Sequence, residues 1–157
     1  SWVPSRWEQI TPYISEVFPH AVGKINIDVR STTAERTFWE KATLLHQEAH
    51  RTSLPPIRYS RHYYDLYKMS LHSVKESALE DLALLQQVVA FKEKFYPSAW
   101  ARYDFAVPGT FKLIHGNVHL KELENDYKEM RVMIFRDVPE WDKIVYTLGR
   151  LEDEING

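Results

Sequence analysis

The segment TFWEKATLLHQEAHR, residues 37 to 51, constrains the fold more than any other stretch. At about 100° per residue, Phe38, Ala42, Leu45 and Ala49 fall in one narrow stripe, which makes this an amphipathic helix with a buried face. Just upstream, Thr32-Thr33-Ala34-Glu35 fits a capping box, so the helix is predicted over about 34 to 51. Only five glycines occur in the 157 residues, which disfavours an architecture built from many tight β-turns. Helices must therefore dominate.

The remaining segments fit that frame. Residues 2 to 20 carry Pro4, Pro12 and Pro19 and read as extended or short irregular pieces. GKINIDVRS alternates Ile25, Ile27 and Val29 with Asn26, Asp28 and Arg30, a half-buried strand over roughly 24 to 30. Pro55-Pro56 breaks the chain before a second helix, about 58 to 72. A third, SALEDLALLQQVVAFKEKFY, places Leu79, Leu82, Ala83, Val89 and Ala90 at helical spacing and stops at Pro97. Residues 97 to 118 form a Pro/Gly-punctuated connection with one short helix expected near Thr110 to Ile114. A fourth helix is expected over about 119 to 135 and a fifth over about 140 to 155, with Gly149 as its weak spot. The expectation is a mainly α fold: one domain, 1–157, a bundle of about five helices behind a short N-terminal β segment (1–31). No repeat, low-complexity tract or dividing linker interrupts it.

Composition narrows the function. Lys and Arg (20) nearly balance Asp and Glu (22), which gives no broad electrostatic footprint for nucleic acid but leaves room for a local patch. The absence of cysteine excludes disulfides and thiolate metal sites, and is compatible with a cytoplasmic location. No apolar run approaches the ~20 residues needed to cross a bilayer, so no membrane role is expected. SWVPSRWEQ is not a signal peptide, and a start without Met is what a piece of a longer protein would show.

The first helix carries two polar flanks. His46 and His50, four apart, could share a zinc, with His62 as a third ligand. The zinc-protease helix needs Glu directly after its first His, however, and Gln47 stands there. The plainer reading is a histidine pair lining the helix flank near Trp39. Lys41 and Glu48 lie on the other flank, about 140 to 180° away, so the two clusters cannot serve one small site. A lysine beside a buried stripe can neutralise a triphosphate; otherwise it is a solvated neighbour of Glu48. On the second helix Arg58, Arg61, Asp65 and His72 fall within about 60° of one another, opposite Tyr63, Tyr64 and Tyr67. That stripe could grip phosphate, or it could hold a plain Arg61–Asp65 pair.

ERTFWEKATLLHQEAHR (35 to 51) followed by SRHYYDLYKM (60 to 69) resembles the AbiEii/AbiGii-type nucleotidyltransferase toxins. ITPYISEVFP, FKEKFYPSAWARYDFAVPGTFKL, DYKEMRVMIF and LEDEIN extend the resemblance along the chain. It implies the helical C-terminal half of a polymerase-β-like nucleotidyltransferase from a type IV toxin–antitoxin or abortive-infection system. Such enzymes use Mg²⁺ to move a nucleotide from an NTP to an acceptor, tRNA in some members, and have a cognate antitoxin protein. By position, Lys41 corresponds to the third-motif lysine that contacts NTP phosphates, and Asp65 to the fourth-motif catalytic aspartate. Arg61 is a phosphate-binding or structural partner in the same motif.

The family's Gly-Ser loop and Asp-x-Asp strand are absent from these 157 residues. The expectation is therefore a part that is inactive alone, with most Mg²⁺ ligands elsewhere. The alternative is a helical module that binds RNA or the antitoxin without catalysis, and whose exposed apolar surface promotes self-association.

Overall fold

The structure is a computed structural model that describes residues 3–23, 25–135 and 137–157, with only the backbone at 117 and 118. Residues 2 and 24, which the sequence reading placed in its extended lead-in and its strand, lie outside the described residues. Two compact units result, Ser1–Ala34 and Glu35–Gly157.

In the first unit, β1 (Ser5–Ile10) pairs antiparallel with β2 (Ile27–Thr32), in a register that sets Trp7 opposite Arg30 and Ile10 opposite Ile27. Two short helices, α1 (Tyr13–Val17) and α2 (Pro19–Val22), lie between the strands in sequence. The prolines that read as breakers instead start helices: Pro12 caps α1 and Pro19 is the first residue of α2, where its missing N–H costs nothing. The strand expected over 24 to 30 is β2, displaced toward the C-terminus. It is not half-buried: Ile27 is 53% and Val29 38% exposed, so alternation alone misjudged its surroundings.

The second unit is a helical bundle. The predicted first helix is α3 (Ala34–Ala49), and it is buried on more than one face: Phe38, Trp39, Ala42, Leu45 and His46 are all fully covered. The indole N–H of Trp39 donates to the Ala78 carbonyl at 3.1 Å. Glu48, expected on a solvated flank, is buried and paired with Arg51 (Nε–Oε2 2.5 Å).

The second helix, α4 (Ser60–Ser70), packs on α7 (Asn117–Met130) and α8 (Trp141–Asn156) through Tyr63, Leu66 and Tyr67. It starts late and ends early, so Arg58 and His72 both lie outside it. The long third helix divides into α5 (Val74–Glu80) and α6 (Leu82–Phe95). Asp81 makes the break, leaving helical geometry while its carboxylate accepts the Leu84 N–H at 3.0 Å. The break shifts the register. Ala78, Leu84, Leu85 and Val88 are buried, whereas Leu82, Ala83 and Ala90, read as core from a continuous period, are exposed.

No helix forms over 110–114. One-turn 3₁₀ helices occur earlier, at Ala99–Ala101 and Tyr103–Phe105. The backbone of 111–114 is instead committed outward. The N–H of Phe111 donates to Asn156 Oδ1 (2.9 Å), that of Lys112 to His46 Nδ1 (3.0 Å) and that of Ile114 to Glu152 Oε2 (3.1 Å). A segment whose donors are held by neighbouring side chains has no local helical bonds to make. The fourth helix, α7, is followed by a 3₁₀ turn at Arg131–Met133, and α8 runs unbroken through Gly149.

Candidate functional site

Lys41 leaves the middle of α3 and meets α4. Its Nζ lies 2.6 Å from Asp65 Oδ2 and 3.3 Å from His62 Nδ1. His62 and Asp65 are three apart on α4 and so share a side of the helix, which lets both reach one ammonium. Burial, then the charges of Lys41 and Arg61, push the His62 imidazole down to about 4, against an opposing pull from Asp65. A neutral ring beside an ammonium accepts on Nδ1, which leaves its proton on Nε2.

The side chains of Lys41 and Asp65 are 26% and 41% exposed. An open pair of this kind contributes about 0–1 kcal/mol, too little for stability to explain its position.

The pair separates two grooves. One, of about 410 Å³, has Arg58, Arg61, Tyr64 and Asp65 along one wall and Met130, Ile134 and Phe135 along the other. The second, of about 340 Å³, runs between α3 and α6 and is lined by Glu40, Lys41, Leu44, Phe91, Lys92 and Tyr96. Lys41 and Asp65 thus touch, yet each faces its own groove.

Arg61 does not pair with Asp65. It is exposed and has no ion-pair partner among the described residues, while Asp65 is taken by Lys41. Arg58 lines the same groove as Arg61 although it precedes the helix, and its backbone is left-handed at φ 62°. Tyr64 joins this wall instead of the buried side with Tyr63 and Tyr67, and His72 is exposed beyond the helix end.

His46 of the histidine pair is held by the backbone around it. His46 is fully buried; its Nδ1 accepts the Lys112 N–H and its Nε2 donates to the Arg102 carbonyl, both at 3.0 Å. With both nitrogens engaged, no lone pair is free for a metal. His62 is committed to Lys41. Among the described residues no group of three or more His, Asp or Glu side chains could hold an ion.

Sequence reasoning overlooked Lys92 and Asp126. Lys92 stood in plain view in FKEKFY, but one lysine among several on a helix carries no signal until its neighbours are known. Asp126 accepts from the backbone N–H of Arg58 and from both the N–H (2.9 Å) and hydroxyl of Ser60, so α7 holds the start of α4.

The fold and site define a mainly helical protein with a lysine–aspartate pair set between two open grooves. The family model for the nucleotidyl transferase AbiEii toxin of type IV toxin–antitoxin systems matches residues 2–146, and the chain belongs to that family. No curated protein and no solved structure matches it. Among the described residues no helix is long and apolar enough to cross a membrane.

Proposed function

We propose that this chain supplies the lysine–aspartate part of a nucleotidyltransferase site, within a toxin that moves a nucleotide from an NTP to an acceptor. The observation that carries the reading is the 2.6 Å contact between Lys41 and Asp65, half open to solvent between two grooves. In the transfer, an acceptor hydroxyl oxygen bonds to the α-phosphorus, the bond from that phosphorus to the bridging oxygen breaks, and pyrophosphate leaves. Lys41 meets the negative charge of the phosphates as a point charge. Asp65 keeps the ammonium aimed in the empty site and is placed to take the acceptor proton once phosphate draws Lys41 away. Arg61, which lines the groove on the Asp65 side, is proposed as a further phosphate-binding or structural partner.

Mg²⁺ is proposed as the cofactor of the complete enzyme, where it would neutralise phosphate charge. The described residues do not fit a site for it: Asp65 is a lone carboxylate already bound to an ammonium, and no larger cluster exists among them. The reading therefore assigns the metal-binding carboxylates and the triphosphate loop to polypeptide other than these residues, and predicts no turnover by this chain alone.

The test uses Mg²⁺, labelled NTPs and an RNA pool. The chain alone should transfer nothing, and transfer should appear when polypeptide carrying a Gly-Ser loop and an Asp-x-Asp strand of this family is supplied. In that active form, Lys41→Ala and Asp65→Ala should each lower transfer by about 100-fold or more, in the range seen when one electrostatic stabiliser is removed. The folded state should be little affected, given the small stability contribution of an open pair. Full activity in both variants would remove the assignment.

A second reading rests on the Arg58/Arg61 groove, whose far side carries Phe135, 90% exposed. Exposed guanidinium groups beside an exposed aromatic ring suit an RNA strand. Salt-sensitive RNA binding by the chain, lost in Arg61→Ala, would support a binding module. A cognate antitoxin protein is the further partner expected of such a toxin.

A further inference from the structure

Lys92 is the cation that the site leaves unexplained. It projects from α6 into the α3–α6 groove, where its Nζ donates to the Glu40 backbone carbonyl at 3.0 Å. The Glu40 carboxylate is engaged by Arg36 Nε at 2.8 Å. Among the described residues no carboxylate lies within ion-pair distance of Lys92, whereas Lys41, lining the same groove, has Asp65. Burial pushes the Lys92 ammonium down to about 8, with the charge of Glu40 opposing. The groups around it are Glu40 and Lys41 from α3, His62 from α4, Tyr96 at the end of α6, and Tyr103.

A sheltered ammonium without a counter-charge costs stability and so calls for another reason to be there. Methionine in its place would fill the same volume at no electrostatic cost. A second ammonium, Lys41, lines the same groove, so an incoming polyanion would meet two cations there and supply the counter-charge that Lys92 lacks.

We propose that Lys92 is a second phosphate-binding cation, and that the polyphosphate of a nucleoside triphosphate spans Lys92 and Lys41 in the α3–α6 groove. The nucleoside part of this assignment rests on the nucleotidyl-transfer reading; the polyphosphate part rests on the groove alone.

Calorimetric titration of the 157-residue chain with ATP and, separately, with inorganic tripolyphosphate tests it. Wild type should bind both. Lys92→Met should weaken both about tenfold or more, and Lys92→Arg should restore most of the loss, since a guanidinium also meets phosphate oxygens. Urea unfolding separates binding from folding, because Lys92→Met removes a half-buried charge that has no ion-pair partner among the described residues and should leave the chain about as stable. The ATP phosphates finish ionising near pH 6 to 7. From pH 7 to 9 wild type should therefore lose ATP affinity as Lys92 sheds its proton, while Lys92→Arg stays flat.

Unchanged affinity in Lys92→Met, or no binding of either probe by wild type, overturns the proposal. The two readings fail separately. If Lys41→Met abolishes binding and Lys92→Met does not, the groove stands without Lys92. If polyphosphate binding depends on Lys92 but transfer in the active form ignores Lys41 and Asp65, this site stands and the nucleotidyl-transfer reading falls.

Discussion

Asp126 shows how one carboxylate outside the site can set the site's geometry. It sits on α7, yet it takes the N–H groups of Arg58 and Ser60 and the Ser60 hydroxyl. A helix start leaves backbone N–H groups free, and Ser60 is fully buried, so water cannot replace the partner of its N–H and hydroxyl. The same grip holds Arg58 in a left-handed conformation that a side chain with a Cβ seldom adopts. From there α4 carries Arg61, His62 and Asp65 at fixed angles. Asp126→Ala should cost about 1–3 kcal/mol, because it strands the buried Ser60 donors as well as deleting an acceptor. Urea midpoints measure that cost, and a loss below about 0.5 kcal/mol, the level of an ordinary surface change, would contradict it. Nothing in NDYKEM announces this role. A cap supplied from 66 residues away has no local spacing to read.

At the scale of elements, what could be read in the sequence divides along a physical line. The helix around Phe38 and Leu45, and those over 60–70 and 141–156, were legible because a buried stripe repeats on one side of a continuous helix. Lys41 and Asp65 were placed on polar helix faces by their spacing, and their roles came only from the family motif. Their contact follows from how α3 crosses α4, which periodicity does not encode. The third helix misled because Asp81 interrupts it inside a stretch whose apolar residues keep helical spacing on both sides, and the residues after the break turn a different face to the core. The stretch 111–114 misled because His46, Glu152 and Asn156 claim its donors from afar.

Gly149 is a different case, since the residue expected to weaken α8 is tolerated without a packing reason. A Cβ built there meets nothing within 4 Å, and its φ is not in the left-handed region. Gly149→Ala should therefore stabilise the protein by about 0.5–1 kcal/mol, by lowering the conformational freedom of the unfolded chain. Thermal melts should move upward; a downward shift would contradict the open space around this position.

For the whole molecule, the histidines couple folding to pH. His46, His62 and His115 sit at three places in the bundle, and burial is the leading cause holding each near 4, against an ordinary 6.5. Other charges act in both directions. His46 feels His50 and Asp104, His62 feels Lys41, Arg61, Asp65 and Lys92, and His115 feels His119, Arg51 and His50. The sign follows from which state holds the proton. Between pH 6.5 and 4 the unfolded chain binds protons at these rings and the folded chain does not, so acidification favours unfolding. Each ring contributes a slope of at most about 1.4 kcal/mol per pH unit, so the combined limit is roughly 4 kcal/mol per unit, and stability should be fully regained above pH 7. Urea midpoints at pH 7.5, 6 and 5 should fall steadily, over a range where ordinary carboxylates remain ionised. Proton NMR should find at least three of the seven imidazoles silent above pH 5. A midpoint that stays flat from pH 7.5 to 5 would mean that these rings charge without opening the fold. Lys41 would then gain a cationic neighbour in place of an acceptor, and polyphosphate affinity should rise on acidification while stability holds. Stability and affinity, measured together across that range, therefore decide whether His62 serves the bundle as a buried neutral acceptor or the groove as a third positive charge.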